Sequence, residues 1–429
     1  MRDMKDSGID WIGEIPEDWN ISRFKYLLSM PMQYGATESG IEYEESLPRY
    51  IRITDITLDG KLKQENKLSL SEDAARKYIL KDNALLFARS GASVGKTFLY
   101  KEKYGRAAFA GYLISAYTND KIYPEWAYYY TLSNAYWNWT NQIFSQATIQ
   151  NIGADKYENM PMTYPNVQEQ RKIISFLDKK CAEIDSLQAD IQTEIDTLDQ
   201  YKRSVISEAV TKGLDRNVEM KDSGNQYWRE IPATWHLSDI KYLFEIKKRI
   251  AGKEGYDVLS VTQKGVKVKD TSKNEGQLAS DYSNYQFLYP GEFVMNHMDL
   301  LTGGVDLSDR FGVTSPDYRV FCLRNTERNC KRYYKYVMQT CYLCRIFYSL
   351  GNGVSNLGRW RLQTFAFNNF EIPVPSKREQ EEIADYLDGI IEEIGKTVEL
   401  KQQQLETLAQ YKKSLIYEYV TGKKEVPCE

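Results

Sequence analysis

Two stretches of the chain carry apolar residues in an unbroken alternation of four and three. In the first, Leu177, Cys181, Ile184, Gln188, Ile191, Ile195, Leu198, Lys202 and Val205 fall on that spacing; in the second, Leu387, Ile391, Ile394, Val398, Lys401, Leu405, Leu408, Lys412 and Leu415 do. This is the heptad seam of a coiled coil. Each run opens just after a proline, Pro165 or Pro375, and contains none, so about 40 residues can be helical, roughly 60 Å at ~1.5 Å per residue. The polar seam residues Gln188, Lys202, Lys401 and Lys412 fix register and partner choice at some cost in stability. Elsewhere the pattern is of short apolar runs such as NALLFA and YPGEFVM, which read as strands delivering glycines and short polar side chains to turns.

The two heptad stretches are copies of one another, and the copying extends further. MKDSGIDWIGEIPEDWNISRFKYLLSM from Met4 returns as MKDSGNQYWREIPATWHLSDIKYLFEI from Met220, with MKDSG, EIP, a tryptophan (Trp19, Trp235) and KYL in step. The long block from Pro165 returns from Pro375 with EQ, LD, QYK, Ser204/Ser414 and VT coinciding. Between the blocks lie about 130 residues per half that share little sequence. The spacing therefore predicts an α+β chain with an entry segment at 1–18, a globular domain at 19–164 and a long helix at 165–213. A linker and second entry segment at 214–234, a second globular domain at 235–374, a second long helix at 375–423 and a tail at 424–429 complete it. If the helices pair antiparallel, the halves are related by an approximate two-fold axis, and a monomer imitates a C2 dimer while presenting two different surfaces.

Composition changes this picture mainly through charge. The 429 residues hold 60 acidic and 56 basic side chains, a net charge of −4, with 42% apolar residues and 12 prolines, enough to fill real cores, and the composition argues against a disordered chain. Split by segment, 167–213 has 7 basic and 9 acidic residues and 377–423 has 7 and 10, while 19–166 has 17 and 15 and 235–376 has 19 and 14. The helices are acidic and the variable domains basic. Lys247, Lys248 and Arg249, the alternating Lys264, Lys267 and Lys269, and the pair Arg359 and Arg361 suit phosphates, or equally a solvated face. Nothing approaches a membrane span, and the start carries no export signal, so the reading is of a soluble, cytoplasmic protein whose six scattered cysteines are reduced. Cys341 and Cys344 form a CxxC with no second pair or histidine nearby and read as buried thiols on an apolar helix.

One string, Arg89-Ser90-Gly91-Ala92-Ser93-Val94-Gly95-Lys96-Thr97, is close to a P-loop, but three residues separate Gly91 from Gly95 where that motif needs four, and FLYKEKYG beyond it reads as strand. It more simply carries Arg89, Ser90, Ser93 and Lys96 outward on a turn. The corresponding place in the second half offers Asn296, His297 and Thr302. A second paired feature precedes each long helix: Gln146, Thr148, Gln150 and Asn151 in one copy, Asn352, Ser355, Asn356, Arg359 and Arg361 in the other. Amides read adenine, arginine reads guanine, and hydroxyls read either; turn chemistry explains the same residues one by one. No metal-binding or catalytic signature is found: no GxGxxG after a strand, no HExxH, no GxSxG and no Pro-Pro dipeptide.

Taken together, IGEIPEDWNISRFKYL, the SGASVGKT turn, the EQ and LD of the helix starts and QYKRSVISEAVTKG, with their second copies, resemble the specificity subunit of type I restriction-modification systems across nearly the whole chain. The resemblance implies two target-recognition domains, each reading half of an interrupted, asymmetric site in double-stranded DNA. It implies that the paired helices, seamed by Leu177, Ile184, Ile191, Ile195, Leu198, Val205, Leu387, Ile391, Ile394, Val398, Leu405, Leu408 and Leu415, set the spacer. Two methyltransferase subunits would dock on them, and restriction subunits would join through the complex. The chain itself would be non-catalytic and without cofactor, with S-adenosylmethionine, ATP and magnesium on partner subunits. Two other readings stay open on the residues alone: a nucleotide-binding enzyme using the Gly91–Thr97 loop, and a coiled-coil scaffold with two protein-binding domains.

Overall fold

A computed structural model describes residues 2–57, 59–145, 151–263, 265–270, 281–353 and 360–427. The chain forms two compact units, residues 1–191 with 402–429, and residues 192–401. The division cuts both long helices, Val167–Lys212 and Lys377–Val420, so each unit holds part of each.

In the first unit, strands Met4–Asp6 and Glu14–Pro16 pair antiparallel, and strand Asn20–Arg23 pairs with Pro161–Tyr164. The repeated MKDSG has a local physical reason. Its first three residues are strand, the Asp6 carboxylate accepts the Gly8 N–H at 2.9 Å, the Ser7 hydroxyl accepts the Ile9 N–H at 3.2 Å, and Gly8 takes φ +69°, which glycine adopts without a Cβ penalty. The variable region forms two four-stranded sheets. One is antiparallel, in the order Gln33–Tyr34, Leu113–Ala116, Leu85–Ala88, Thr97–Leu99. The other runs Ala107–Phe109, Arg49–Ile51, Leu68–Ser69, Ile41–Glu42, with a parallel pair at one edge.

The second unit repeats the antiparallel sheet strand for strand: Phe244–Lys247, Arg319–Leu323, Phe293–Met295, Val305–Leu307. Its other sheet differs. There the parallel pair, Val258–Thr262 with Gly312–Thr314, lies at the centre, flanked by Gly265–Val268 and Gln286–Leu288. MKDSG again gives a strand and a turn, with Asp222 accepting the Gly224 N–H at 2.9 Å.

The long helices pack antiparallel. Within the first unit Phe176 stacks near Tyr419 with ring centroids 4.6 Å apart, Asp185 pairs with Lys412 at 2.5 Å, and the Gln188 amide donates to the Leu405 carbonyl at 3.5 Å, so partner numbers fall on one helix as they rise on the other. Within the second unit Lys401 pairs with Glu194. Leu177, Cys181, Ile184, Ile191, Leu387, Ile394 and Leu415 are buried, and Ile195, Leu198, Val205, Ile391, Val398, Leu405 and Leu408 half-buried. Among polar seam residues, Lys202 alone makes no cross-helix hydrogen bond or ion pair in the described residues; where the other copy has Asp185, this one has Gly395.

The EQ and LD at the helix starts bolt helix to domain in both copies. Glu169 accepts the Trp19 indole N–H at 3.3 Å, and Glu379 that of Trp235 at 2.8 Å. The buried Gln170 accepts the Tyr123 N–H at 3.0 Å and donates to the Lys121 and Pro165 carbonyls; Gln380 accepts the Cys330 N–H at 2.7 Å and donates to the Pro375 carbonyl. Asp178 accepts the Tyr129 hydroxyl at 2.6 Å, and Asp388 accepts that of Tyr336 while pairing with Arg332 at 2.7 Å. One expectation fails. The apolar stretch around the CxxC is not one helix: Lys331–Leu343 stops, Arg345 takes a left-handed φ of 54°, and Ile346–Ser349 starts anew. Cys341 is therefore buried and Cys344 exposed, rather than both buried.

Replacing Gln170 with leucine removes three hydrogen bonds from a fully buried position and leaves the Tyr123 N–H without its acceptor. Urea unfolding followed by fluorescence is expected to show a loss of about 1–3 kcal/mol, with the same substitution at exposed Gln192 within about 0.5 kcal/mol of wild type.

Candidate nucleic-acid interface

In the first unit, strand Leu85–Ala88 leaves the antiparallel sheet, turns through residues 89–96 and returns as Thr97–Leu99. The neck of the turn is tied by backbone: Ala88 N–H donates to the Lys96 carbonyl at 2.8 Å and Gly95 N–H to that of Ala88 at 3.0 Å. Two buried tyrosines clamp it from below, Tyr136 donating to the Gly95 carbonyl at 2.7 Å and Tyr157 to that of Ala88 at 2.8 Å. Gly95 takes φ +84°, and a Cβ there would lie 3.1 Å from Trp137, so both backbone and packing demand glycine. Arg89, Ser90, Ser93 and Lys96 are half-buried on the resulting rigid turn. The Arg89 guanidinium lies 4.9 Å from the Tyr34 ring centroid and makes no ion pair among the described residues. No helix follows the turn, so it lacks the helix N-terminus that a P-loop offers a phosphate chain.

The pre-helix segment meets this turn. Ser90 forms a β-bridge with Asn151, and Ile152 N–H donates to the Arg89 carbonyl at 2.9 Å. Gln146, Thr148 and Gln150 lie outside the described residues.

The second unit brings the corresponding segments together by different bonds. Between strands Phe293–Met295 and Val305–Leu307, Asn296 N–H donates to the Gly304 carbonyl at 2.9 Å, and Asp299 takes up both the hydroxyl and the N–H of Thr302. The pre-helix segment then docks: Leu362 N–H donates to the His297 carbonyl at 2.9 Å and Leu300 N–H to that of Trp360 at 3.3 Å. Asn352 and Arg361 exchange backbone hydrogen bonds at 3.1 Å and keep exposed side chains. Ser355, Asn356 and Arg359 lie outside the described residues.

The organiser of this second surface is Arg319, which the sequence reading did not select. It is 4% exposed, donates to the Leu362 carbonyl at 3.1 Å and the Thr364 hydroxyl at 3.3 Å, and lies 4.4 Å from the Phe367 ring centroid. Burial lowers its pKa to about 10, which leaves it charged at neutral pH. The signal was an arginine opening an otherwise apolar strand, RVFCL. His297 is 8% exposed, and burial, aided by Arg319, Arg361 and Lys248, lowers its pKa to about 3. It is a neutral residue inside the loop rather than a cation on its surface.

The other basic candidates divide. Lys247 pairs with Glu245 at 2.7 Å, and Arg249 pairs with Glu292 while lying 4.7 Å from the Tyr289 ring centroid. These charges are already matched. Lys248 donates to the Pro316 carbonyl and has no ion pair in the described residues. Pro316, Lys269 and Asn296 line one cavity of about 650 Å³. Lys267 is exposed on the edge strand Gly265–Val268, and Lys264 lies outside the described residues.

Residues 37–197 and 232–409 match the family model of the type I restriction modification DNA specificity domain. The type I restriction enzyme MjaVIII specificity subunit of Methanocaldococcus jannaschii is 22% identical over 95% of this chain and 93% of its own length. A chain from a solved structure, described as the structural basis of complex assembly and conformational transition of the type I R-M system, shares the fold at a TM-score of 0.67 and 13% identity. That alignment covers 96% of this chain and 99% of the other.

Because Arg319 is what the pre-helix segment rests on, Arg319→Met keeps most of the volume and leaves the Leu362 carbonyl without a donor. A loss of about 1–3 kcal/mol is expected in thermal unfolding, whereas Arg361→Met, at an exposed side chain, changes stability by less than about 0.5 kcal/mol.

Proposed function

We propose, for a chain that belongs to the type I restriction modification DNA specificity family, that it is the sequence-reading subunit of a type I restriction-modification complex and is itself non-catalytic. Each globular domain, 19–164 and 235–374, reads one half of a bipartite asymmetric site in double-stranded DNA. The paired helices set the distance between the half-sites and carry methyltransferase subunits, two in number. Restriction subunits join through that assembly, and S-adenosylmethionine, ATP and magnesium reside on the partners. The complex works where the chromosome is, in the cytoplasm; among the described residues, no helix is long and apolar enough to cross a membrane.

One observation supports the recognition role above the rest. In both units an antiparallel strand pair ends in a turn against which the segment before the long helix docks, Ser90 with Asn151 in one and His297 with Leu362 in the other. Two sequences with little in common thus build such a surface from the same two loops, and each surface carries polar and cationic side chains. We assign the first reading surface to Arg89, Ser90, Ser93 and Lys96, together with Gln146, Thr148 and Gln150, which lie outside the described residues. We assign the second to Asn296, Asn352 and Arg361, together with Ser355 and Arg359, which lie outside the described residues, and phosphate contacts to Lys248, Lys267 and Lys269. Base edges in the major groove are distinguished by such amide, hydroxyl and guanidinium groups, each good bidentate pair being worth about 1–3 kcal/mol.

Exchanging residues 19–160 for those of a relative with a different target is expected to change one half of the methylated motif and leave the other intact, as read by methylome sequencing of the host. A change in both halves overturns the division of labour. Lengthening the helices by one heptad is expected to change the spacer in the same assay and neither half-site; an unchanged spacer removes the ruler.

A further inference from the structure

The second unit contains a cavity of about 690 Å³ whose walls are the long helix around Lys202, the turn from Leu301 to Val305, and the helix Lys331–Leu343 with Arg345 beyond its end. Four cations line it, Lys202, Arg203, Lys335 and Arg345, against two carboxylates, Asp199 and Asp306. The carboxylates are partly spent. Asp199 lies 3.8 Å from Arg203 on its own helix, and Asp306 accepts the Leu307 N–H at 2.9 Å and the Gln339 amide at 3.3 Å, with burial shifting it toward the neutral acid. Lys335 shares Asp388 at 3.5 Å. That leaves Lys202 and Arg345, neither of which makes an ion pair or side-chain hydrogen bond among the described residues. Arg345 also sits in a left-handed conformation, φ 54°, which costs an arginine about 1 kcal/mol or more where glycine would be free.

The duplicated half shows what a merely structural lysine does at this place. Lys412, the counterpart of Lys202, is held by Asp185, which also binds Lys61 at 3.1 Å. In the second copy the aspartate position is Gly395, which offers the seam lysine no carboxylate. The turn that forms one wall, residues 301–305, joins the two strands of the proposed reading loop, so the cavity lies directly beside that loop.

We propose that this cavity is a phosphate clamp: Lys202 and Arg345 neutralise DNA backbone phosphates next to the half-site read by the second domain, adding affinity without sequence preference. The inference rests on the DNA-reading function above and adds a contact made by the spacer helix itself, on one side of the duplication only.

The test uses the full chain assembled with its methyltransferase subunits and measures the binding constant for cognate and non-cognate duplexes between about 50 and 200 mM salt. Lys202→Gln and Arg345→Gln are each expected to reduce the slope of log K against log salt by about 0.9, the value for one phosphate contact. Binding should weaken by a similar factor on both duplexes, and the methylated motif should stay the same. Lys413→Gln, at the exposed counterpart of Arg203, is expected to keep the wild-type slope. Wild-type slopes in both cavity variants overturn the clamp and leave the DNA-reading function standing. Loss of methyltransferase assembly with an unchanged slope overturns it too, assigning the cavity to a protein partner. A wild-type complex whose DNA binding shows no salt dependence overturns the function itself.

Discussion

The first core is closed by the far end of the chain. Leu415, Ile416, Tyr419 and Val420 are buried with Trp19, Phe24, Trp126 and Leu177, and the Thr163 hydroxyl donates to the Val420 carbonyl at 2.9 Å across 257 residues. Bringing such distant segments together costs about 5 kcal/mol by loop-closure entropy. Burying four large apolar side chains contributes roughly 1.5–3 kcal/mol each and outweighs it. The same constraint explains why the compact units do not follow chain order. The second core is completed inside its own stretch, by Ile206 and Val210 against Ile383 and Leu387. The first cannot form until the last helix has been made.

With that closure given, the short identities between the copies become intelligible. Each one is a bond rather than a pattern: the Glu of EQ takes an indole N–H, the Gln satisfies backbone groups at a buried helix start, and the Asp of LD receives a tyrosine hydroxyl. The two glutamines are fully buried, and a buried polar group left unpaired costs more than the bond contributes; Glu169, Glu379 and Asp388 are half-buried and Asp178 exposed. Duplicated segments diverge freely except where such a penalty applies. That is why the helices and entry segments of the two copies keep a common register in the sequence, and why the heptad seam was legible residue by residue. The antiparallel sheets of the two domains are alike in strand order although their sequences are not. A strand buried on both faces asks only for apolar residues, and LLFA and FVM satisfy that demand equally.

The reading surface was legible in part. The turn after the third strand of each antiparallel sheet was visible because glycine and short polar residues follow an apolar run. The pre-helix segment was visible because it precedes a repeated helix. Their meeting was not visible, since it depends on backbone bonds such as Ile152 to Arg89 and Leu362 to His297, which leave no side-chain signature. Side-chain chemistry misled in predictable ways. Lys247 and Arg249 look like phosphate ligands until Glu245 and Glu292 are seen beside them, and His297 looks like a contact until its burial is known. Arg319 made the opposite impression, a surface charge by type and a core residue by position. A pair of charges separated by 43 residues of sequence, like Arg249 and Glu292, can be matched only in three dimensions.

The net charge shows the same limit more sharply. Summed over the chain, it argues weakly against a nucleic-acid protein; split along the duplication, it places the acidic excess on the helices and the basic excess on the variable domains. The structure refines the second statement, because several of the domain cations are neutralised within the domain while one helix lysine is not. What decides whether a cation is available is the residue opposite it, and the duplication supplies its own comparison. Asp185 facing Lys412, and Gly395 at the position that corresponds to Asp185 in the other copy, give the seam lysine a counter-ion in one half and none in the other. An unpaired lysine in a helix seam contributes less to folding than its duplicate, so its retention points to something outside the seam that it binds.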